Sequence, residues 1–319
     1  MSKQPSPSGR MRGQTVLVTG TTKGGIGYET ARLLGDEGAT VLTHGRTPEA
    51  AGASVDNLAV DGNGAGRFIP VAADLSSIAG AQQLADAARA AAPQGIHGLV
   101  NNAGAGFNER RLSPDGFEMT MAINHVAVAA LTDGLLDLLH AGADSLGRPS
   151  RVANMTALIE GRGKVETDWS YPGKYTQTQA YFNAKLTNLL YTYALARRLD
   201  GRGVTVNAVS PGTVKSDFGA KAGGIFGLMA RFGAPLYGHP SRGSRGVVRI
   251  MTDPDLATAT ANGAYYTPSK LKKSSKKSRT EHLQEQVYLQ TERILRAHHD
   301  NHPRSVGDDR VRRASERFD

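Results

Sequence analysis

The chain has 319 residues, with 38 Lys plus Arg against 29 Asp plus Glu and a formal net charge of +9. Hydrophobic residues make up 39%, enough for a packed core, which excludes a fully disordered or collagen-like chain. Cysteine is absent, so disulfides, thiolate metal sites and a cysteine nucleophile are excluded.

Residues 1–13 read as a disordered polar leader without the apolar region of a signal peptide. No window approaches the roughly 18 uninterrupted apolar residues of a membrane span, so a cytoplasmic protein is expected. Thr15–Thr19 then forms a short β-branched strand that ends in a glycine cluster, and Tyr28 to Leu34 suits a helix. Further strands are expected at Thr40–Thr43, Arg67–Val71, Gly98–Val100, Arg151–Met155 and Val204–Val209. Ala-rich helical stretches such as Gly80–Ala92 separate them. Strands alternating with helices indicate βαβ units, and the expected class is α/β: a Rossmann-type doubly wound parallel sheet. No linker divides the early chain, which predicts one domain over residues 14–266. Within it, residues about 217–245 are rich in Gly, Ala and Pro with scattered large apolar side chains, which suits a flap over a site. A basic loop over 267–280, a C-terminal helix over 281–302 and a polar tail over 303–319 complete the chain. The helix carries an apolar stripe of Leu283, Val287, Ile294 and Leu295.

The charge is concentrated. Lys270, Lys272, Lys273, Lys276, Lys277 and Arg279 contain no acid between them and account for six of the nine net positive charges. Serines separate the lysines and no apolar period is present, so the stretch reads as a solvated loop. A polyanion contact is the alternative, since lysine clusters bind phosphate without sequence specificity.

The glycine cluster, Thr19-Gly20-Thr21-Thr22-Lys23-Gly24-Gly25-Ile26-Gly27, follows a strand and opens a helix. Glycines let the backbone approach a pyrophosphate, and the helix N-terminus offers free N–H groups and partial positive charge. Gly20, Thr22, Lys23, Gly25, Ile26 and Gly27 are therefore candidate cofactor-binding residues. Arg46 comes nineteen residues after Gly27, where an acid would accept hydrogen bonds from an adenosine ribose. Arg46 and Lys23 would instead face a 2′-phosphate, which favours NADP(H) over NAD. His44 reads as a local polar filler. No metal site is expected.

Tyr181 and Lys185 stand four apart, one above the other on a helix face. A free phenol has a pKa of about 10, and a nearby ammonium favours the phenolate. Such a pair can donate a proton to a carbonyl or remove one from an alcohol.

Asn101-Asn102-Ala103-Gly104 ends a central apolar strand, Asn124 lies in Ile123-Asn124-His125, and Pro211-Gly212-Thr213-Val214-Lys215-Ser216 closes a later strand. With the glycine cluster and Tyr181/Lys185, these resemble the short-chain dehydrogenase/reductase family over about Gln14 to Tyr266. Asp74-Leu75-Ser76-Ser77, Gly116-Phe117-Glu118 and the run from Ala180-Tyr181 to Leu199 are similar to its retinol-dehydrogenase-like branch. The resemblance implies that Tyr181 is the proton donor or acceptor. It implies that Lys185 lowers the Tyr181 pKa and holds the nicotinamide ribose, and that Asn124 positions a relay water. Asp74 and Leu75 would lie beside the adenine, while Asn102, Ala103 and Gly104 line the cofactor cleft. Pro211, Gly212, Val214 and Ser216 would surround the nicotinamide. His125 is left structural.

Two places depart from the family pattern. The glycine loop carries four residues, Thr21 to Gly24, where the family usually has three, so either Gly24 or Gly25 meets the phosphates. The family's substrate-binding serine falls in Asn154-Met155-Thr156-Ala157. Alignment from the strand puts Ala157 there; counting back 25 residues from Tyr181 gives Thr156, the one residue of the two with a hydroxyl. Thr156 is assigned the role.

The resemblance implies an NADP(H)-dependent oxidoreductase acting on a small carbonyl or alcohol. Ile225, Phe226, Leu228, Met229, Phe232 and Leu236 of the flap point to an apolar substrate. Homo-oligomers are common in the family. The rival readings are a cofactor-binding regulator that has lost catalysis and, less favoured, a nucleic-acid-associated protein using residues 270–279.

Overall fold

The computed structural model describes residues 9–212, 239–258 and 261–301. Val214, Ser216, the leader up to residue 8, the flap up to residue 238 and the tail lie outside the described residues.

Seven strands form one sheet in the order β3-β2-β1-β4-β5-β6-β7. They are β1 Thr15–Val18, β2 Thr40–Gly45, β3 Arg67–Ala72, β4 Gly98–Asn101, β5 Ser150–Met155, β6 Val204–Val209 and β7 Tyr265–Tyr266. Every neighbouring pair is parallel. The chain runs outward from β1 to β3, then returns to β4 beside β1. That reversal opens a crevice at the carboxyl ends of β1 and β4, where ligands bind in doubly wound sheets. β4, β5 and β6 are buried along their whole length, the pattern of strands covered on both faces.

The helices are α1 Ile26–Asp36, α2 Pro48–Asp61, α3 Ile78–Ala91, α4 Met119–Gly134, α5 Leu136–Leu146, α6 Gln177–Arg198, α7 Pro240–Thr252 and α8 Glu281–Asn301. One face of the sheet packs Leu17, Leu99 and Val152 against Leu84 of α3, Leu131 of α4, and Leu186 and Leu190 of α6. The other packs Val16, Val18 and Val100 against Leu34 of α1, Leu58 of α2 and Val247 of α7. Among the described residues no single helix is long and apolar enough to cross a membrane.

Three segments differ from the sequence expectation. Residues 240–245, assigned to the flap, begin the amphipathic helix α7, capped by His239, which accepts from the Ser241 N–H. Gly243 lets this helix close on the site: a Cβ there would lie 3.2 Å from Pro211 Cβ. The buried seam of α8 is Gln284, Val287, Thr291 and Leu295, so polar residues share the stripe. Each is satisfied. Gln284 donates to Ser278 O at 2.8 Å, and Thr291 donates to Val287 O at 2.8 Å while contacting His125 Nε2.

The third is the basic segment, which is anchored rather than wholly solvated. Buried Glu160 accepts from Ser275 N at 2.9 Å and Ser275 Oγ at 2.7 Å, and Tyr193 bonds Ser274 at 2.7 Å. Lys277 Nζ donates to Gly163 O at 2.6 Å. Ser274 and Ser278 are buried, and the six basic residues stay exposed. The serines that looked like solvated spacers are the anchors.

Candidate active site

A cleft of about 730 Å³ opens across the carboxyl ends of β1, β2, β4, β5 and β6. At its glycine-loop end the shape follows from backbone packing. Thr19 Oγ1 accepts from Asn102 N and Ala103 N, both at 2.9 Å, and Asn102 Nδ2 donates to Thr19 O at 2.8 Å. These bonds tie the β1 exit loop to the β4 exit loop. Gly27 sits against that tie: a Cβ there would fall 2.3 Å from Asn102 Nδ2 and 2.3 Å from Gly20 O. Gly20 has φ +70, a left-handed value that disfavours a side chain.

Gly24 is exposed at φ +86, while Gly25 caps α1 and lines the cleft with Gly20, Thr22 and Ile26. The first N–H groups of α1 have no intrahelical acceptor. Buried His44 does more than fill space. Its Nδ1 accepts from Gly20 N at 3.1 Å and its Nε2 donates to Ala73 O at 2.9 Å, joining loop, β2 and the β3 exit. Burial lowers its pKa, so it is the neutral tautomer that holds the loop.

Arg46, Asp74 and Leu75 line this end of the cleft. Lys23 is not among the lining residues. Its ammonium pairs with Asp61 at 2.8 Å and with Asn57 Oδ1 at 3.1 Å, and Asp61 also accepts from Tyr28 at 2.5 Å. Of the two cations assigned to one phosphate, the structure brings only Arg46 to the cleft wall.

At the other end, buried side chains set the geometry. α6 starts at the Thr176 cap, whose side chain accepts from Gln179 N, and carries Tyr181 and Lys185 into the cleft. Lys185 Nζ donates to Met155 O at 3.1 Å and lies 5.6 Å from the Tyr181 ring centroid. Burial pushes the Lys185 ammonium down to about 8 and the Tyr181 phenol above its ordinary value. The expected direction of the Tyr181 shift is thus reversed: burial raises it.

Asn124 sits in a π-helical turn, Ala122–Val126, inside α4. Its Nδ2 donates to Thr120 O at 2.8 Å and Ala105 O at 2.7 Å, diverting the side chain into the helix's own ladder. Its Oδ1 is buried without a partner among the described residues. A Cβ at Gly104 would lie 2.7 Å from that oxygen and 3.5 Å from Lys185 Nζ, so only glycine leaves this space open. Beneath the site, Asn101 donates to Asn154 Oδ1 at 2.8 Å and Asn154 to Thr192 at 3.0 Å, fixing β4, β5 and α6 together.

Thr156 lines the cleft, whereas Ala157 does not. The Thr156 hydroxyl donates to Lys185 O at 3.3 Å, which engages its hydrogen. Pro211 and Gly212 complete this end. His125 lies outside the cleft, buried between Trp169 and Tyr191, with its pKa pushed down to about 3 by burial. The wall contributed by Ala105 to Asn108, Glu109 and Arg111 was not singled out from the sequence. The run directly after Asn102-Ala103-Gly104 was the available signal.

Residues 14–223 match the family model for short chain dehydrogenases. The chain is 32% identical over 260 residues to short-chain dehydrogenase TIC 32 B, chloroplastic, of Brassica napus, covering 79% of each chain. It is 34% identical over 209 residues to human retinol dehydrogenase 12, covering 65% of this chain and 64% of that one. Among solved structures, an uncharacterised protein from Mycobacterium paratuberculosis has a TM-score of 0.68 at 23% identity, covering 89% of this chain and 94% of that one. The Pseudomonas aeruginosa RhlG/NADP active-site complex has a TM-score of 0.61 at 28% identity, covering 82% of this chain and 96% of that one. The chain belongs to the short-chain dehydrogenase/reductase family of oxidoreductases, in its retinol-dehydrogenase-like branch.

Proposed function

We propose that the protein is an NADP(H)-dependent oxidoreductase that interconverts a carbonyl and an alcohol, with Tyr181 moving the proton. The observation that carries this reading is the arrangement of Tyr181, Lys185 and the unpartnered Asn124 Oδ1 in the cleft that the glycine loop closes. The residues fit a nicotinamide dinucleotide. Gly20 and Gly27 keep the loop clear of side chains, Gly104 leaves space beside Lys185, and Asn124 Oδ1 is an acceptor in need of a donor. Arg46 without an acid at the end of β2 supports the phosphorylated cofactor.

Bound there, a reduced nicotinamide supplies a hydride to the carbonyl carbon. Tyr181 donates its hydroxyl proton to the oxygen as it becomes an alkoxide. Because burial raises the phenol pKa, that proton is in place at neutral pH. Lys185 would hold the ribose and, with a water on Asn124 Oδ1, would return a proton to Tyr181. Thr156 turns its hydroxyl from Lys185 O to the substrate oxygen; a hydroxyl hydrogen rotates freely enough for this.

The reading is tested by NADPH oxidation over a panel of aldehydes and ketones. Substrate-dependent oxidation is expected, reduced about 10²–10⁴-fold in Tyr181→Phe. A variant with full rate, or no turnover of any substrate, overturns it. The engaged Thr156 hydroxyl and the alanine beside it favour a second reading, a cofactor-binding regulator. NADPH binding without turnover is its signature.

A further inference from the structure

The wall of the cleft between β4 and α4 carries a charge that nothing in the proposed reaction uses. Phe107, Asn108, Glu109 and Arg111 all line it. The hydroxyl of Tyr175, just ahead of α6, lies 2.8 Å from Phe107 O, which puts this wall on the Tyr181 side. The wall is held from behind. Arg110 Nε donates to Ser170 O and Tyr171 O, both at 2.9 Å, while Arg111 O accepts from Met119 N at 2.9 Å and Leu112 pairs antiparallel with Glu118.

Arg111 is exposed, its guanidinium 5.9 Å from the Phe107 ring centroid, with no acid or hydrogen-bond acceptor among the described residues. The contrast with Arg110 and Lys23, both engaged, marks it out. The basic segment leaves β7 beside the cleft, with Pro268 Cγ 3.8 Å from where a Cβ of Gly212 would be. Lys270, Lys272 and Lys273 follow, exposed and without ion pairs among the described residues. Among the described residues, Glu109 is the one acid on the Arg111 wall.

We propose that the substrate carries a carboxylate beside an apolar, carbonyl-bearing portion, and that Arg111 binds that carboxylate while the Phe107 ring packs on the apolar portion. This rests on the oxidoreductase reading and names its substrate class. A guanidinium already seated over a ring loses little freedom on pairing with a planar carboxylate. The exposed lysines after β7 add to the positive field that attracts anions to the protein, an effect that salt screens.

The test compares 4-formylbenzoate with its methyl ester, reduced by the full chain with NADPH, in wild type, Arg111→Ala, Arg111→Lys and Glu109→Gln. The expected result is a kcat/KM about tenfold or more higher for the carboxylate. That preference is lost in Arg111→Ala, partly kept in Arg111→Lys, increased in Glu109→Gln and weakened by salt, with NADPH affinity unchanged. Binding of terephthalate to the enzyme–NADPH complex, read by NADPH fluorescence, reports the site without turnover. Equal use of both aldehydes, or a preference that survives Arg111→Ala, overturns the assignment and leaves the oxidoreductase reading intact. Loss of NADPH affinity in Arg111→Ala also overturns it, because Arg111 then serves the cofactor. If neither aldehyde reacts but terephthalate binding still depends on Arg111, the anion site stands and hydride transfer to these substrates fails. If neither occurs, the proposal fails.

Discussion

The two ends of the cleft hold their shape by different means. At the glycine-loop end, backbone meets backbone: Gly27 has no room for a Cβ, Gly20 needs a left-handed φ, and His44 pins the loop to β2 and β3. At the Tyr181 end, the positions are set by buried polar side chains that donate to main-chain carbonyls: Lys185 to Met155, Asn124 to Thr120 and Ala105, Thr156 to Lys185. The first end is rigid by exclusion, so any added atom damages it. The second is rigid by hydrogen bonding, so its groups can change partners when a ligand enters.

This contrast gives ranked expectations. Gly27→Ala attacks the first end, forcing its Cβ into Asn102 and Gly20. Overpacking of about 1–3 kcal/mol predicts a rise of about 5- to 150-fold in the NADPH dissociation constant, measured by fluorescence titration. An unchanged constant would mean the loop has slack that its packing denies. Arg46→Ala is expected to raise the NADP(H) dissociation constant about 10-fold while sparing NAD(H), since only the 2′-phosphate is lost as a partner. Lys23→Ala is the paired control: with its ammonium already on Asp61 and Asn57, its effect on both cofactors should be under about twofold. A Lys23 effect equal to that of Arg46 would show that the pair with Asp61 breaks on binding.

The smallest expected effect concerns pH at the second end. Burial lowers the Lys185 pKa to about 8, so its positive charge is present below that pH and lost above it. Tyr181, shifted upward, keeps its proton through the same range. The kcat/KM for reduction, which reports groups of the free enzyme, should fall as pH rises through about 8. A profile flat to pH 9.5 would sink the idea that Lys185 sets the alkaline limb.

How much of this was legible in the sequence follows the same division. The strands β1 to β6 stand out as short apolar runs, and the glycine loop is readable because close backbone approach leaves no alternative residue. α2 falls among the expected Ala-rich helical stretches, but its weak apolar face, with only Ala51, Ser54 and Leu58 buried, left its bounds unread although Thr47 and Pro48 spell its start. α7 was hidden because Gly243 and Gly246 suggest a loop, yet they serve close packing on Pro211 and β6. At the site, spacing pointed to Tyr181 and Lys185, and the family resemblance to Asn124, but neither showed which charges are already paired. Lys23 looked equal to Arg46 until Asp61, distant in sequence, claimed it. The lysine-rich segment looked unanchored because its partner, Glu160, lies 115 residues away. Charge on a sequence is a count; its use depends on pairing.

The central claim is hydride transfer from NADPH to a carbonyl carbon with Tyr181 as the proton donor. Deuterium transfer tests it most directly: NADPH carrying deuterium at both C4 positions is mixed with an aldehyde, and the product alcohol is analysed by mass spectrometry. The wild-type product should carry one deuterium at the former carbonyl carbon, and Tyr181→Phe should form that product at least about 100-fold more slowly with NADPH still bound. An alcohol without deuterium, or equal product from the variant, would contradict it.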